Sequence, residues 1–263
     1  MAVVSPDAVR KILAGEAMAS YLLAYGTADE QDQAMASLID VAQTEAENYL
    51  MMCFEPTVIK CYPDDDLTQG VDYDREERPY DFHAEQWNHW GFMQVRWAPI
   101  ISVERVRLTF GEEWDIAELP SEWIRVYEEQ GAFCIVPTPG SGWAVLLQTG
   151  GVVSFFLTHL QTFGNVPGVF AVDYTAGVTD ISSDRLYSPL LRAVTLNAAA
   201  EVLLDIAESK HAGVGSVSLS GDGLSESRQL TKFQDRVQTL RTRGQEILDR
   251  WRDSHSAMLM VSA

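Results

Sequence analysis

The segment Asp173–Lys210 constrains the fold more than any other part of the chain. It begins as an apolar strand, turns at Ala176-Gly177 and continues into a long helix that starts at Ser188-Pro189. Glycine suits a tight turn and proline suits the first helical position, which supports this division. Apolar residues cover nearly the whole circumference of the predicted helix, in two stripes: Leu191, Val194, Ala198 and Val202; and Leu196, Ala199, Ala200, Leu203 and Ala207. Such a helix is buried on more than one side.

Two interpretations of these stripes stay open at this point. In the first, both stripes pack inside the chain's own domain. In the second, one stripe packs on the chain's own helices and the other contacts a neighbouring copy. The second interpretation makes Val194 and Leu203 candidate residues of a subunit interface.

The composition predicts a globular protein. A chain of 263 residues with 46% hydrophobic residues is long enough for one core, or for one core and a smaller module. No apolar run approaches the ~20 residues that span a bilayer, and no basic segment precedes an apolar core at the N-terminus. Cys53, Cys61 and Cys134 lack CxxC spacing, which fits buried free thiols in a reducing cytoplasm.

The formal net charge of −19 argues against a surface that grips nucleic acid, because grip depends on Lys and Arg neutralising phosphates. The charge is unevenly distributed. Residues 228–252 hold 7 Lys and Arg against 3 Asp and Glu, a net of +4, while the rest of the chain has a net of −23. This asymmetry predicts that the basic end meets partners or other copies of the chain.

The pattern along the chain predicts an α+β fold: a helical bundle, made of N-terminal helices and two long C-terminal helices, with an inserted antiparallel β-barrel or sandwich module. The predicted parts are 1–56 (helical), 57–175 (β) and 176–263 (helical). A short helix follows Ser5-Pro6, and a long amphipathic helix covers Asp29–Met52. Short strands separated by glycine and proline turns indicate the β module. These strands are predicted at Thr57–Tyr62, Phe92–Trp97, Ile101–Phe110, Trp123–Tyr127, Ala132–Val136, Trp143–Gln148, Val152–Leu157 and Val169–Tyr174.

The stretch Asp64–Glu85 is rich in acidic residues, but it does not match an EF-hand. Counted from Asp64, Gln69 stands where the calcium loop requires glycine and Arg75 stands at its twelfth position. We therefore expect a solvated loop. An overlapping aromatic patch fits a sugar-binding platform or a protein contact, although a β-domain core is the favoured interpretation; the patch comprises Tyr80, Phe82, Trp87, Trp90, Phe92 and Trp97.

The Gly/Ser-rich segment 212–226 is predicted to be a loop. It is either a flexible connector or an extended loop that reaches a partner subunit or lines a pore. The residues that would form this channel or partner loop are Gly213, Gly215, Ser218, Ser220 and Asp222. It has no GxxxxGK[ST] sequence, so it is not a phosphate-binding loop.

The last predicted helix, Leu230–Trp251, carries a narrow heptad seam and then a short apolar tail, 254–263. The seam comprises Leu230, Phe233, Val237, Leu240, Gly244, Ile247 and Trp251, and we expect it to pack on the central helix. Four arginines lie off the seam: Arg236, Arg241, Arg243 and Arg250. They either pair with acidic residues of the same subunit or dock on a partner, with Met258, Leu259 and Met260 as the anchor.

The sequence holds no catalytic triad, zinc-ligand spacing, nucleotide loop or nucleophile elbow. We therefore predict that the protein is not an enzyme and uses no cofactor or metal. A competing hypothesis is a carbohydrate-binding or hydrolytic protein built on the β module, in which Glu112 and Glu113 form a pair of acids.

The order of these features resembles the head–tail adaptor (connector or head-completion) proteins of tailed bacteriophages. The resemblance rests on the helix at Asp29–Leu50, the "P-x-x-S-V" sequence at Pro99–Val103, the "Y-x-A-G" turn at Tyr174–Gly177 and the helix that follows. It covers about Asp29 to Asp205, and the loop and helix beyond it are similar to those of longer members. The chain departs from the family at Ser182-Ser183, where many relatives have proline, and in its larger β region.

The resemblance implies a structural virion protein in the neck, assembled in the host bacterial cytoplasm as a ring, usually of twelve subunits. It implies contacts with the portal protein and with a head–tail stopper or tail-completion protein. Genomic double-stranded DNA would pass through the channel without specific binding, and no membrane is involved. Another ring component of the neck or tail tube is an alternative that the sequence leaves open.

Overall fold

The computed structural model of the chain describes residues 3–15, 22, 26–61, 73–84, 92–109, 115–136, 164–211, 217–221, 224–228 and 230–261. These residues belong to two units. The helical unit comprises Met1–Leu50 and Asp180–Ala263, and the β unit comprises Met51–Thr179. The chain is therefore a mixed α+β protein whose helical unit is formed by two separate stretches of sequence.

The described part of the helical unit has four α-helices: α1 (Pro6–Gly15), α2 (Ala28–Leu50), α3 (Ser188–His211) and α4 (Leu230–Val261). The helices predicted after Ser5-Pro6, at Asp29–Met52 and from Ser188-Pro189 are confirmed, although the second ends at Leu50, two residues before its predicted end. Helix α4 continues beyond the predicted end at Trp251, because the segment assigned to a tail is helical as far as Val261.

Local interactions determine both ends of helix α2. At its start, the Thr27 N–H donates to Glu30 Oε2 at 2.7 Å and the Glu30 N–H donates to Thr27 Oγ1 at 3.4 Å, a reciprocal capping box. The Thr27 backbone hydrogen bond is the main cause that lowers the pKa of Glu30. After Leu50, Met51 adopts a left-handed φ of 51°, a conformation that terminates helices.

Helix α3 is the central element of the helical unit and packs against α1, α2 and α4. Its buried residues surround the helix: Leu190, Ala193, Val194, Leu196, Ala198, Ala199, Ala200, Val202, Leu203 and Ile206. The prediction that this helix is buried on more than one side is confirmed, and the neighbouring helices belong to the same chain.

The described residues of the β unit form two sheets. The larger has six strands: β1 (Thr57–Cys61), β2 (Arg75–Glu77), β3 (Tyr80–His83), β5 (Ile100–Thr109), β6 (Asp115–Glu118) and β9 (Asn165–Ala176). The smaller has the order β4-β8-β7, from β4 (Met93–Gln94), β8 (Ala132–Ile135) and β7 (Ile124–Tyr127), with a 3₁₀ turn at Ser121–Trp123. Both sheets contribute side chains to one apolar core, for example Val106 and Val172 from the larger sheet and Phe133 and Ile135 from the smaller.

The long strand β9 organises the larger sheet. It pairs antiparallel with β5 along one edge, and with β1 and β3 one after the other along the other edge. The pairing brings the two sequence motifs together: Ile100 lies opposite Ala176, Ser102 opposite Thr175, and Val103 opposite Tyr174. The Gly177 N–H then donates to the Pro99 carbonyl at 2.8 Å.

Gly177 is required at the end of this strand. Its φ is 131°, and a Cβ at this position would lie 2.6 Å from the carbonyl carbon of Glu55. Both the backbone conformation and the close approach exclude a side chain. The glycine of the turn motif therefore has a structural role in the β unit.

The β unit differs from the prediction in three respects. No sheet formed by the described residues closes into a barrel, and β1 and β2 pair in parallel. The acidic stretch Asp64–Glu85, predicted to be a solvated loop, contributes β2 and β3 to the larger sheet. The strands predicted at Trp143–Gln148 and Val152–Leu157 lie outside the described residues.

Candidate functional site: the C-terminal helix pair and the buried polar clusters

Helices α3 and α4 pack closely because small residues face each other across their contact. A Cβ added to Gly244 would lie 2.9 Å from Asn197 Cγ and 3.3 Å from the Ala193 carbonyl oxygen. Val237, Leu240 and Leu248 bury their side chains along the same side of α4. Val237, Leu240 and Gly244 of the predicted seam therefore pack on the central helix, whereas the side chains of Leu230 and Phe233 lie outside the described part.

One position of the predicted seam is wrong. Leu248 is buried, whereas Ile247, which the heptad spacing assigned to the seam, is half-buried. A straight α-helix drifts relative to a strict seven-residue repeat, so the buried side moves by one position along α4. Trp251 remains near the seam, with its ring 5.6 Å from that of Tyr187.

Val194 and Leu203, the candidate interface residues on α3, are fully buried within a single chain. The helices that cover α3 are α1, α2 and α4 of the same chain. A side chain with no exposed surface cannot contact a second copy, so the assignment of these two residues to a subunit interface is corrected. They belong to the interior of the helical unit.

The four predicted arginines of α4 do not share one environment. All four are exposed, but Arg241 forms an ion pair with Glu201 of α3 at 2.6 Å. Arg250 lies 3.5 Å from Glu246 on its own helix. Arg236 and Arg243 fall on the same side of α4 as Arg250, each one heptad from the next. The structure thus separates Arg241, which links α3 and α4, from three arginines that form one stripe.

The remaining candidate residues lie in segments that the structure describes only in part. Met258, Leu259 and Met260 belong to helix α4, and their side chains lie outside the described part. Ser218 and Ser220 lie in β10 (Val217–Gly221), which pairs with β11 (Leu224–Arg228) as an antiparallel hairpin. Gly213, Gly215 and Asp222 lie outside the described residues. The predicted loop 212–226 is therefore in part a hairpin.

Sequence reasoning missed a buried polar cluster in the β unit. The Tyr80 hydroxyl donates to Glu77 Oε1 at 2.6 Å, and the Tyr174 hydroxyl donates to Glu77 Oε2 at 2.7 Å. Arg96 pairs with Glu77 at 2.9 Å, and its backbone N–H donates to the Tyr80 hydroxyl at 3.0 Å. Burial, reinforced by the nearby Glu77 carboxylate, raises the pKa of both Tyr80 and Tyr174 well above the usual value.

This cluster gives Tyr174 of the turn motif a defined role. Its hydroxyl also accepts the Trp97 N–H at 3.3 Å, close to the start of β5. Two tyrosines that stay protonated and one carboxylate held by an arginine form a closed hydrogen-bonded set. The arrangement ties β3, β9 and the segment before β5 together.

A second buried cluster surrounds Asp173, next to Tyr174 in β9. Asp173 Oδ2 pairs with Arg105 at 3.0 Å, and Asp173 Oδ1 lies 3.8 Å from Arg107 and accepts the Cys61 N–H at 2.9 Å. Arg107 and Asp173 are each only 4% exposed. Burial is also the main cause that raises the pKa of the Cys61 thiol to about 12. The alternation of polar residues in β5 gave no signal that Arg107 points inward.

The aromatic residues that the structure describes belong mostly to the core. Phe82 is 1% exposed and stacks on Phe170 with ring centroids 6.3 Å apart. Trp97 packs against the core with the Arg75 guanidinium 4.1 Å from its ring centroid. Trp87 and Trp90, as well as Glu112 and Glu113, lie outside the described residues. The described aromatics therefore favour the core interpretation over a sugar-binding platform.

Within the described ranges, no three His, Cys, Asp or Glu side chains are grouped so that they could bind a metal ion. None of the described helices combines the length and the apolar character needed to cross a membrane. All three cysteines are buried and free.

No protein-family model matches this chain, and no curated protein matches it in sequence.

Proposed function

We propose that this protein is a head–tail adaptor of a tailed bacteriophage. In this role it forms a homo-oligomeric ring, a dodecamer, between the portal vertex and the stopper or tail-completion protein. The helical unit is a bundle, the β unit is its inserted module, and DNA passes through the bore of the ring. The proposed location is the neck of the virion.

The observation that supports this proposal most directly is the pairing of the two motif segments. Pro99–Val103 and Tyr174–Gly177 are the two segments whose sequences resemble those of adaptors. In the structure they are neighbours in one sheet, joined by the Gly177 to Pro99 hydrogen bond, and the second segment precedes α3 in the chain. The motif residues lie close together and have packing roles. Such roles fit a family whose members share a fold rather than a catalytic reaction.

The charge of the chain is consistent with a channel that releases its DNA. With a net charge of −19, the protein offers few cations for phosphate binding. A negative wall repels phosphate only within about one Debye length, ~8–10 Å at physiological salt, so this effect would act near the wall of the bore.

Electron microscopy of the purified protein, alone and mixed with the portal protein of the same phage, tests the proposal. We expect rings that bind coaxially to the portal. A ring that does not bind a portal would instead support another component of the neck or tail tube. A protein that binds no portal and never forms a ring would contradict the proposal.

Deletion of Ser254–Ala263 tests which surface reaches the portal. This segment contains the last residues of α4, and its loss leaves the packed seam from Val237 to Leu248 intact. We expect a folded protein that joins portals poorly. If the truncated protein completes heads as well as the intact chain, the docking surface lies elsewhere, and the hairpin Val217–Arg228 becomes the next segment to test.

A further inference from the structure

The helical unit carries a polar cleft of about 580 Å³ that is lined by α2, α3 and α4. Four of its lining residues are acidic, namely Glu45, Glu201, Glu246 and Asp249, and Arg241 is the cation among them. Gln238 and Thr242 of α4 line the same space. We refer to it as the acidic cleft.

The internal contacts of the acidic cleft leave it with surplus negative charge. Arg241 is engaged with Glu201 at 2.6 Å. Asp249 accepts hydrogen bonds from the Tyr49 hydroxyl and, at 3.1 Å, from the Gln245 side chain, and the Tyr49 bond is the main cause that lowers the pKa of Asp249. The Arg252 guanidinium lies 4.0 Å from Asp249 and the Arg250 guanidinium lies 3.5 Å from Glu246, so both reach cleft carboxylates from outside the lining. The lining itself holds one guanidinium against four carboxylates, a surplus that these two longer contacts offset only in part.

The opposite flank of α4 carries the complementary charge. Arg236, Arg243 and Arg250 recur one heptad apart and are all exposed, the Arg250 side chain by 78%. At about 3.6 residues per turn, this arginine stripe lies on one side of the buried seam, whereas Gln238, Thr242 and Asp249 lie on the other. Glu246, 3.5 Å from Arg250, marks the outer boundary between the two surfaces.

This placement allows a head-to-tail contact between the two surfaces. They lie on different flanks of one helix, so a copy that offers its stripe to a neighbour leaves its own cleft open for a third copy. A head-to-tail contact of this kind closes into rings when the rotation permits. A two-fold dimer would have to place the stripe and the cleft of one copy on the cleft and the stripe of the same partner.

We propose that the acidic cleft of one copy receives the arginine stripe, Arg236, Arg243 and Arg250, of the next copy. The occupant of the cleft is a second copy of this chain, and charge complementarity selects it and sets its orientation. The inference rests on the proposed ring-forming function and adds to it the two surfaces that meet.

Reciprocal charge reversal tests this contact. The stripe variant carries Arg243→Glu and Arg250→Glu, and the cleft variant carries Glu45→Lys and Gln238→Lys; all four positions are exposed in the chain. Self-association of the full chain is measured by sedimentation velocity over a concentration series at low and high salt. We expect each variant alone to associate roughly tenfold or more weakly than the wild type, because its two surfaces repel.

An equal mixture of the two variants provides the decisive measurement. In the mixture, the reversed stripe of one variant matches the reversed cleft of the other, so association should return towards the wild-type level and should weaken with added salt. The control variant, Arg78→Glu with Arg125→Glu, makes the same charge change as the stripe variant at exposed positions of the β unit, outside both surfaces. It should associate like the wild type. Thermal unfolding of each variant verifies that the fold is intact.

The contact is refuted by a stripe variant that associates as the wild type does, by a mixture no stronger than its components, or by a wild type that is monomeric at every concentration and salt. The proposed function fails in a different way. Charge-dependent self-association without portal binding keeps this contact and contradicts the adaptor role. Portal binding by a strictly monomeric protein would contradict this contact and keep the adaptor role.

Discussion

The helical unit and the β unit fill their interiors with different chemistry. The buried side chains of α3 are aliphatic or small, with one hydroxyl at Thr195, and α3 and α4 approach closely at Ala193 and Gly244; the described part of the helical unit buries one charged side chain, Glu47 of α2. The interior of the β unit also contains charged groups, Glu77, Arg107 and Asp173, each held by hydrogen bonds or an ion pair. We therefore expect the two units to be destabilised by opposite changes. The helical unit should lose stability when a charge is introduced or a close contact is forced apart, and the β unit when a buried charge is removed.

The largest effect is expected from a charge introduced beside the fully buried face of α3. Leu203→Asp places a carboxylate where no solvent reaches, and we expect the free energy of unfolding to fall by more than about 4 kcal/mol, or the protein not to fold. Arg192→Asp, at an exposed position of the same helix, should change it little. Urea unfolding measures both. A Leu203→Asp protein as stable as the control would mean that α3 is not enclosed by its own chain.

The loss of one buried charge in the β unit should cost nearly as much. Asp173→Ala removes the carboxylate beside the buried Arg107, and we expect a loss of about 3–5 kcal/mol in the free energy of unfolding. Asp173→Asn should cost less, because its amide oxygen can still accept the Cys61 N–H. The matched control is Glu104→Ala, which removes an exposed carboxylate from β5. Equal stability of Asp173→Ala and Glu104→Ala would contradict the expectation that the β unit depends on its buried charges.

A side chain added at the α3–α4 contact should have an intermediate effect. Gly244→Val forces α4 away from Asn197 and Ala193, and we expect a loss of about 1–3 kcal/mol from this overpacking. Thr242→Val introduces the same side chain at an exposed position two residues earlier in α4. Thermal unfolding distinguishes them. If the two variants have the same melting temperature, the helices do not approach as closely as the structure shows.

The smallest effect concerns the hydrogen bond between Tyr49 and Asp249, and it depends on pH. This bond lowers the pKa of Asp249 below its ordinary value of 3.8, so its contribution to stability is present above that pH and is lost as the pH falls through the lower folded-state pKa. Tyr49→Phe should therefore lower the melting temperature near neutral pH, and the difference from the wild type should narrow in acid.

Tyr73→Phe, at an exposed tyrosine of the β unit, serves as the control and should follow the wild type at every pH. A difference between Tyr49→Phe and the wild type that stays constant well below pH 3.8 would show that the lost contact is not linked to the charge of Asp249.

The sequence pattern by itself determined the α+β class and the main helices. Helical periodicity and the Ser188-Pro189 start depend on neighbours along the chain, so α2 and α3 could be placed closely. The seam of α4 could be predicted for the same reason, apart from the exchange of Ile247 for Leu248. The apolar circumference of α3 likewise predicted that it would be covered on several sides.

Only the tertiary structure decided which elements cover α3 and which charges enter the core. Val194 and Leu203 are covered by helices of the same chain, a fact that depends on segments far apart in sequence. Glu77 belongs to an acidic stretch that reads as solvated, and it is buried because Tyr80, Arg96 and Tyr174 satisfy its carboxylate. Local periodicity reports which side of an element is apolar, but only long-range packing supplies the partner that makes burial of a charge affordable.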